Sequence, residues 1–337
     1  MMRWRIIAGM GLLMLCMALK GRAQDPQYTQ FYAAHMYLNP ALTGYTFDGK
    51  LSTNYRIQWP GVYAPGYNSY FIAYDQDIAR LNSGIGFMVN RDRAGSGNLT
   101  HTSYSGLYSY LLPLSEKHFF RFGVQAGYVN ASIDYSLLVF GDQLLREGTP
   151  STIETFSGDR IGYLDMGTGA LFYSERYWVG MSVHHINNPQ ISWRNVESRL
   201  PLKYSGHAGL NFPLSKGKDK EVIEKIQFAA NYRAQALYDQ LDFGMYYFKK
   251  PIVVGLWYRG LPIAKAYRPG YANNDAMAML LGFQTGKLRI GYSYDLSISR
   301  ITPRSGGAHE LALSIEINTH QSKAKPKWAS AIPCPEF

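Results

Sequence analysis

The residues best suited to chemistry are few and scattered. His184 and His185 are adjacent imidazoles of the kind that hold a metal ion, but neighbours along a strand point to opposite faces, so they cannot share one. One ring is expected toward the interior and the other near an interface. Asp75 and Asp77 lie two apart, a spacing that turns two carboxylates the same way, as general acid–base work requires. They fall where an alternating segment enters a turn, which favours solvated charge. Gly95-Ser96-Gly97 lacks the strand-to-helix setting of a phosphate loop and reads as a loop tip. His309-Glu310 with Ser314 holds the residue types of a hydrolase, yet no Ser-His-acid triad can be read from spacing across strands, and no established catalytic motif is found. Cys334, between Pro333 and Pro335, could contact a partner or form a mixed disulfide. The expectation is no enzyme, no cofactor and no metal site.

The elements that must position these groups are short strands. Phe120, Phe122, Val124, Ala126 and Tyr128 alternate with Arg121, Gly123, Gln125 and Gly127. Leu288, Ile290, Tyr292, Tyr294 and Leu296 alternate with Arg289, Gly291, Ser293 and Asp295. Leu311, Leu313, Ile315 and Ile317 do the same against Ala312, Ser314, Glu316 and Asn318. Period two with charge on one face means strands. About fourteen such segments are expected, at 51–58, 67–76, 84–90, 100–112, 118–129, 161–172, 177–184, 203–212, 224–233, 241–248, 252–259, 275–284, 288–298 and 307–318. An even number suits a bacterial single-chain barrel.

Alternation alone does not separate a soluble sandwich from a membrane barrel, whose apolar face meets lipid and whose charged face lines a wet lumen. The start of the chain helps. Arg3 and Arg5 precede an apolar run from Ile6 to Leu19, and Gly21 and Ala23 are the small residues of a cleavage site, so residues 1–23 read as an export signal cleaved near Ala23. A lipid anchor on Cys16 is disfavoured by the bulky Leu15 before it. Arg3, Arg5, Lys20 and Arg22 leave with the signal and take four charges from the formal +10, leaving +6, which is no nucleic-acid signature. Cys334 then stands alone, so no internal disulfide framework exists. After Leu19 no apolar run reaches 18 residues, which excludes an ordinary membrane helix. A mean hydropathy of −0.21 with 27 Tyr and 33 Gly fits strands that carry an apolar residue only at every second place. A charge on the lipid face near the midplane costs ~2–4 kcal/mol, so the register is strongly enforced.

The expected connections alternate in length. Those at 173–176, 249–251 and 285–287 are tight, whereas 130–160, 185–202 and 260–274 are long and fall at the other end. The link 213–223 breaks the rule, being longer than its neighbour at 234–240. The expected layout is a signal at 1–23, an irregular segment at 24–50 that either plugs the lumen or hangs in the periplasm, a transmembrane barrel at 51–318 and a Lys- and Pro-containing tail at 319–337.

Several stretches resemble one family in order. Gln24-Asp25-Pro26-Gln27-Tyr28-Thr29-Gln30-Phe31-Tyr32 and Leu38-Asn39-Pro40-Ala41 with Gly44 resemble its opening motif. Asn54-Tyr55-Arg56 with Gln58-Trp59-Pro60, and Tyr74-Asp75-Gln76, resemble its first two strands. Leu81-Asn82-Ser83-Gly84-Ile85-Gly86, Asp92-Arg93-Ala94-Gly95, Phe140-Gly141-Asp142-Gln143, Gly255-Leu256-Trp257-Tyr258-Arg259, Gly291-Tyr292-Ser293-Tyr294-Asp295 and Ser305-Gly306-Gly307-Ala308-His309-Glu310 continue it, with Cys334-Pro335 at the end. The family they resemble is the PorP/SprF outer-membrane proteins of the Bacteroidetes type IX secretion system. The ending Pro333-Cys334-Pro335-Glu336-Phe337 departs from the more basic one expected there.

The resemblance implies an outer-membrane protein serving type IX export, surface attachment and in some branches gliding motility. It implies as partners a secreted cargo with a C-terminal sorting domain, periplasmic components of the machine and outer-membrane lipids. The expected partner-binding residues are Asp25, Pro26, Gln30, Phe31, Asn39, Pro40, Gly44, Phe140, Asp142, Gln143, Trp193 and Cys334. Arg56, Trp59, Asp75, Arg121, Asp295, His309 and Glu310 are expected to serve the lumen. A general porin is the alternative, since about fourteen strands can enclose a channel.

Overall fold

The computed structural model describes residues 25–62, 66–146, 151–154, 158–193, 198–217, 222–268, 271–299 and 305–318. The fourteen strands are β1 Gly49–Gln58, β2 Tyr67–Ile78, β3 Ser83–Ala94, β4 Leu99–Pro113, β5 Phe119–Ser132, β6 Arg160–Tyr173, β7 Tyr177–His184, β8 Lys203–Lys216, β9 Val222–Gln235, β10 Tyr238–Lys249, β11 Ile252–Arg268, β12 Tyr271–Thr285, β13 Leu288–Ser297 and β14 Ala308–Ile317. Each pairs antiparallel with its neighbour in sequence, and β14 returns to pair with β1 from Gly49↔Ile317 to Gln58↔Ala308. The sheet is therefore a closed barrel, and closure removes the unpaired edge that lipid cannot solvate. No helix among the described residues is long and apolar enough to cross a membrane.

Period two fixes which face meets what. Along β5, Arg121, Gly123 and Gln125 are buried inward while Phe122, Val124 and Tyr128 are exposed outward. The same holds round the wall, where Ile72, Phe122, Tyr128, Leu281 and Leu311 are 47 to 60% exposed and give the barrel an apolar outer band. That pattern suits lipid, and the membrane-facing register follows from it.

The connections 79–82, 114–118, 174–176, 217–221, 250–251 and 286–287 share one end and none of them is long, which marks it as the inner end of the barrel. The outer end carries the two longest, 133–159 and 185–202, beside short ones at 95–98 and 236–237. Its loop after β5 contains a short helix, α2 Gly141–Leu145, behind a 3-10 turn at Tyr135–Leu137. The long loop expected at 260–274 is instead a hairpin: β11 and β12 run on to Arg268↔Tyr271 across register shifts that start at Gly260, whose φ is +149°. The irregularity there hides the continuing strands from a period-two reading.

The lumen is occupied. Residues 25–48 run inside the barrel from its outer end to the inner end, where they turn into β1, and include a single helical turn, α1 His35–Leu38, followed by a 3-10 turn at Pro40–Leu42. They are buried almost throughout. The inward face of the wall is thus not the wet channel lining expected, because its own chain covers it.

Candidate functional site

The inner half of the segment is an apolar core. Phe31, Leu38, Leu42 and Tyr45 pack with the wall residues Leu111, Phe119, Tyr246 and Leu280. The Phe31 ring meets Trp257 edge-on at 5.0 Å, and Trp178 donates its indole N–H to the Tyr32 hydroxyl at 2.9 Å. Inward glycines make room for the backbone. A Cβ on Gly123 would lie 2.3 Å from the Pro40 carbonyl carbon, and one on Gly169 would lie 2.0 Å from Asn39 Oδ1. Asn39 caps the Pro40–Leu42 turn by accepting from the Ala41 N–H at 2.9 Å. Its amide donates to the Ala170 and Met181 carbonyls at 3.1 and 3.2 Å.

Below this, Gly44 takes φ +62° and donates to Asp75 Oδ2 at 2.7 Å, while His35 Nε2 bonds the other Asp75 oxygen at 3.0 Å. Arg121 donates to the carbonyls of Gly44 and Thr43 at 2.9 and 3.1 Å. Asp75 is therefore fully buried, not the solvated charge expected of it. Buried polar groups hold their place only when paired in this way.

The outer half of the segment is held by charge. Thr29 sits at the centre: its N–H donates to Glu310 at 2.7 Å, its hydroxyl donates to Asp295 at 2.7 Å, and the Arg56 and Arg259 guanidinium groups donate to that hydroxyl. Arg56 bridges Asp295 and Glu310 at 2.8 and 3.2 Å, and Arg259 bridges Asp295 and Asp242 at 3.0 Å each. The Gln30 N–H reaches Glu310 at 3.1 Å. At the outer mouth, Asp25 accepts from Lys203 at 3.0 Å and bonds His185 Nε2 at 2.9 Å, and His185 Nδ1 meets Asp165 at 2.8 Å. Burial alone would lower the His185 pKa. The Asp25 and Asp165 carboxylates outweigh it and raise the imidazole to about 9.

The structure distributes the expected site residues in three groups. Asp25, Pro26, Gln30, Phe31, Asn39, Pro40 and Gly44 are inside the barrel, with Gln30 and Asn39 wholly buried. Phe140, Asp142 and Gln143 build the outer loop: Gln143 Oε1 accepts from the Phe140 N–H at 2.8 Å, and Asp142 accepts from Ile153 N, Thr152 Oγ1 and Arg146 at 3.0, 2.7 and 3.0 Å. Those donors, the Ile153 N–H first, hold the Asp142 carboxyl below its usual range. Trp193 is half-buried in the other long outer loop, and Cys334 lies outside the described residues.

Among the lumen group, Arg56, Asp75, Arg121, Asp295 and Glu310 are buried on the inward face. Trp59 and His309 are not there. Trp59 has φ +54° at the outer rim, donates its N–H to the Gly307 carbonyl at 2.8 Å and packs on Tyr67. His309 faces outward, its ring bonded to the Tyr292 hydroxyl at 2.7 Å, because its neighbour Glu310 takes the inward place. His184 and His185 are both buried, a departure from the expected split. β7 ends at His184, and φ +61° at His185 turns its ring back inward.

Thr29, Trp257 and Arg259 stand in the sequence only as members of the family-like stretches, with no site role, and Asp242, Trp178 and Lys203 carry no site expectation at all. The available signal was phase, since a charge within a membrane-crossing strand must face inward and there meet a partner.

A family model described as "Type IX secretion system membrane protein PorP/SprF" matches residues 20–315. Solved structures with similar chains include the Acinetobacter baumannii outer membrane protein Omp33, with 8% identity over 82% of this chain and 100% of that chain at a TM-score of 0.45. CdiB from Acinetobacter baumannii has 9% identity over 80% of this chain and 60% of that chain, with a TM-score of 0.44. The Pseudomonas putida toluene transporter TodX has 10% identity over 88% and 93%, with a TM-score of 0.44. Comparison with curated proteins gives no match.

Proposed function

We propose a role that proceeds from one fact: this chain belongs to the PorP/SprF family, and it is an outer-membrane β-barrel component of the type IX secretion system. Members of that family are transport and secretion components, not enzymes, and are associated with gliding motility. Within that role the barrel acts as an anchor: its outer loops, chiefly 133–159 and 185–202, hold a secreted cargo protein at the cell surface by its C-terminal sorting domain. The observation that carries this reading is the filled lumen. A barrel whose interior is its own residues 25–48 offers a partner its loops, not a passage.

Export under a signal cleaved near Ala23 belongs to the same reading. The periplasmic machinery is met at the inner turns and by the tail at 319–337, which follows β14 at that end. The N-terminal segment is not available for this contact because the barrel encloses it. The test is affinity capture of the tagged full chain from outer membranes. Recovery of a sorting-domain protein, lost when the 133–159 loop is replaced by a short Gly/Ser linker, is the expected result. Recovery undiminished by that replacement overturns the loop assignment. The same protein in a planar bilayer should be silent, whereas a steady open pore supports the porin alternative.

A further inference from the structure

A second feature of the wall is independent of the lumen. The outward face carries a depression of about 920 Å³ that crosses β7 to β13 and is lined almost wholly by apolar side chains. Its floor is made by small outward residues: Ala208 pairs directly with Ala230, between the larger Leu210 and Phe228 on one side and Phe243 beyond. A convex barrel wall gives no such hollow unless small residues face large ones in this way.

The depression reaches the inner rim at Tyr177, the first residue of β7. Arg176 precedes it in an exposed turn. His118 packs on Tyr177 and Phe172, with ring centroids at 6.4 and 5.9 Å, and is held by Ser115 at 3.0 Å. Lys117 is exposed beside it, as are the carboxylates of Glu116 and Glu175.

This rim belongs to a wider pattern. Each of the six inner connections has a cation in it or at its end, namely Arg80, Lys117, Arg176, Lys216, Lys249 and Lys287. Among the outer connections, 59–66, 95–98 and 236–237 have no charge, while 133–159, 185–202 and 298–307 carry arginines together with their own long insertions. A cation at every inner connection puts phosphate-pairing charge all round the inner rim, and the apolar groove that ends at Tyr177 singles out one place on it. A protein footprint would gather such charge on one side. A ligand matched to this place has phosphate at the rim and hydrocarbon above it.

We propose that the groove over Ala208 and Ala230 is a binding site for one phospholipid of the inner leaflet, its acyl chain along the groove and its phosphate at Arg176 and Lys117. The lipid is part of the assembled barrel and is held apart from the exchanging annulus. Its binding does not depend on what the outer loops carry.

The experiment uses the full chain, delipidated in detergent and titrated separately with dioleoyl phosphatidylglycerol, dioleoyl phosphatidylethanolamine and lipid A. Bound lipid is counted by native mass spectrometry. One phospholipid should be retained at least fivefold more tightly than any further ones. Ala208→Trp with Ala230→Trp, and separately Arg176→Glu, should each remove that preference. Retention unchanged in either variant, preferential retention of lipid A, or displacement of the lipid by a sorting-domain protein overturns the site. Heat-modifiable migration on a gel checks that each variant is folded. Ala208→Leu, a smaller filling of the same floor, should give an intermediate loss where the tryptophan pair fails to assemble.

Discussion

The two halves of the segment inside the barrel are held by opposite physics. From Phe31 to Tyr45 it is bound chiefly by aromatic and aliphatic packing against the wall, with glycines at 123 and 169 cut back to admit it and a small polar cluster of His35, Asp75 and Arg121 at its inner end. From Asp25 to Gln30 it is bound by ion pairs and hydrogen bonds to Arg56, Asp295, Glu310, Lys203 and His185. Apolar packing is indifferent to pH, and a buried ionic network is not. The inner half is therefore the permanent core of the barrel, while the outer half is a latch whose strength depends on protonation.

Breaking the network should have the largest effect. Glu310→Ala leaves Arg56 short of one buried carboxylate and strips the acceptors from two backbone N–H groups of the segment. Removing one partner of such a pair costs about 3–5 kcal/mol. Urea unfolding of the barrel followed by gel migration should show a loss of this size, and Glu310→Gln should recover part of it. Leu42→Ala tests the other half: a fully buried leucine in the core should cost about 3 kcal/mol by cavity formation, with no dependence on pH between 6 and 9.

The contrast also explains what could be read in advance. All fourteen strands were legible because a wall with lipid outside and chain inside forces period two on every segment. The segment at 25–48 has no period, since contacts with strands all round the wall decide its shape and, β1 apart, these are distant in sequence. Gly123 and Gly169 look like ordinary strand glycines until the Pro40–Leu42 turn is laid against them. His309 is a different case. The alternation that separates neighbouring strand residues applies to His309 and Glu310, so placing both in the lumen contradicted the period already in hand. At His184 and His185 the same rule is overridden by a backbone turn that begins where β7 stops.

The latch should respond to pH with a definite sign. His185 is raised from 6.5 to about 9 in the folded chain, so it binds a proton more readily folded than unfolded. Its stabilisation is fully present below pH 6.5 and is lost as pH rises through about 9, a difference on the order of 3 kcal/mol. Hydrogen exchange in residues 25–30, taken relative to the base-catalysed intrinsic rate, should accelerate across that window while residues 38–45 keep their protection. His185→Gln should flatten the profile. Equal acceleration in both halves would mean that the segment moves as one body and that the division drawn between them is wrong.

The smallest effect is expected farthest from the lumen. Asp142 ties α2 to the strand-free stretch at 151–154 through Ile153, Thr152 and Arg146, all at the surface of the outer loop. Because water can replace each of these bonds, Asp142→Asn should leave urea unfolding of the barrel unchanged. What it should change is local: Asn keeps one acceptor oxygen and loses the charge that Arg146 meets, so the loop opens more often and trypsin should cut at Arg146 several-fold faster. An Asp142→Asn chain nicked no faster than the parent would show that packing by Leu138 on Gly97 is enough to hold the loop. The carboxylate would then be free to meet a partner instead of serving the loop's own shape.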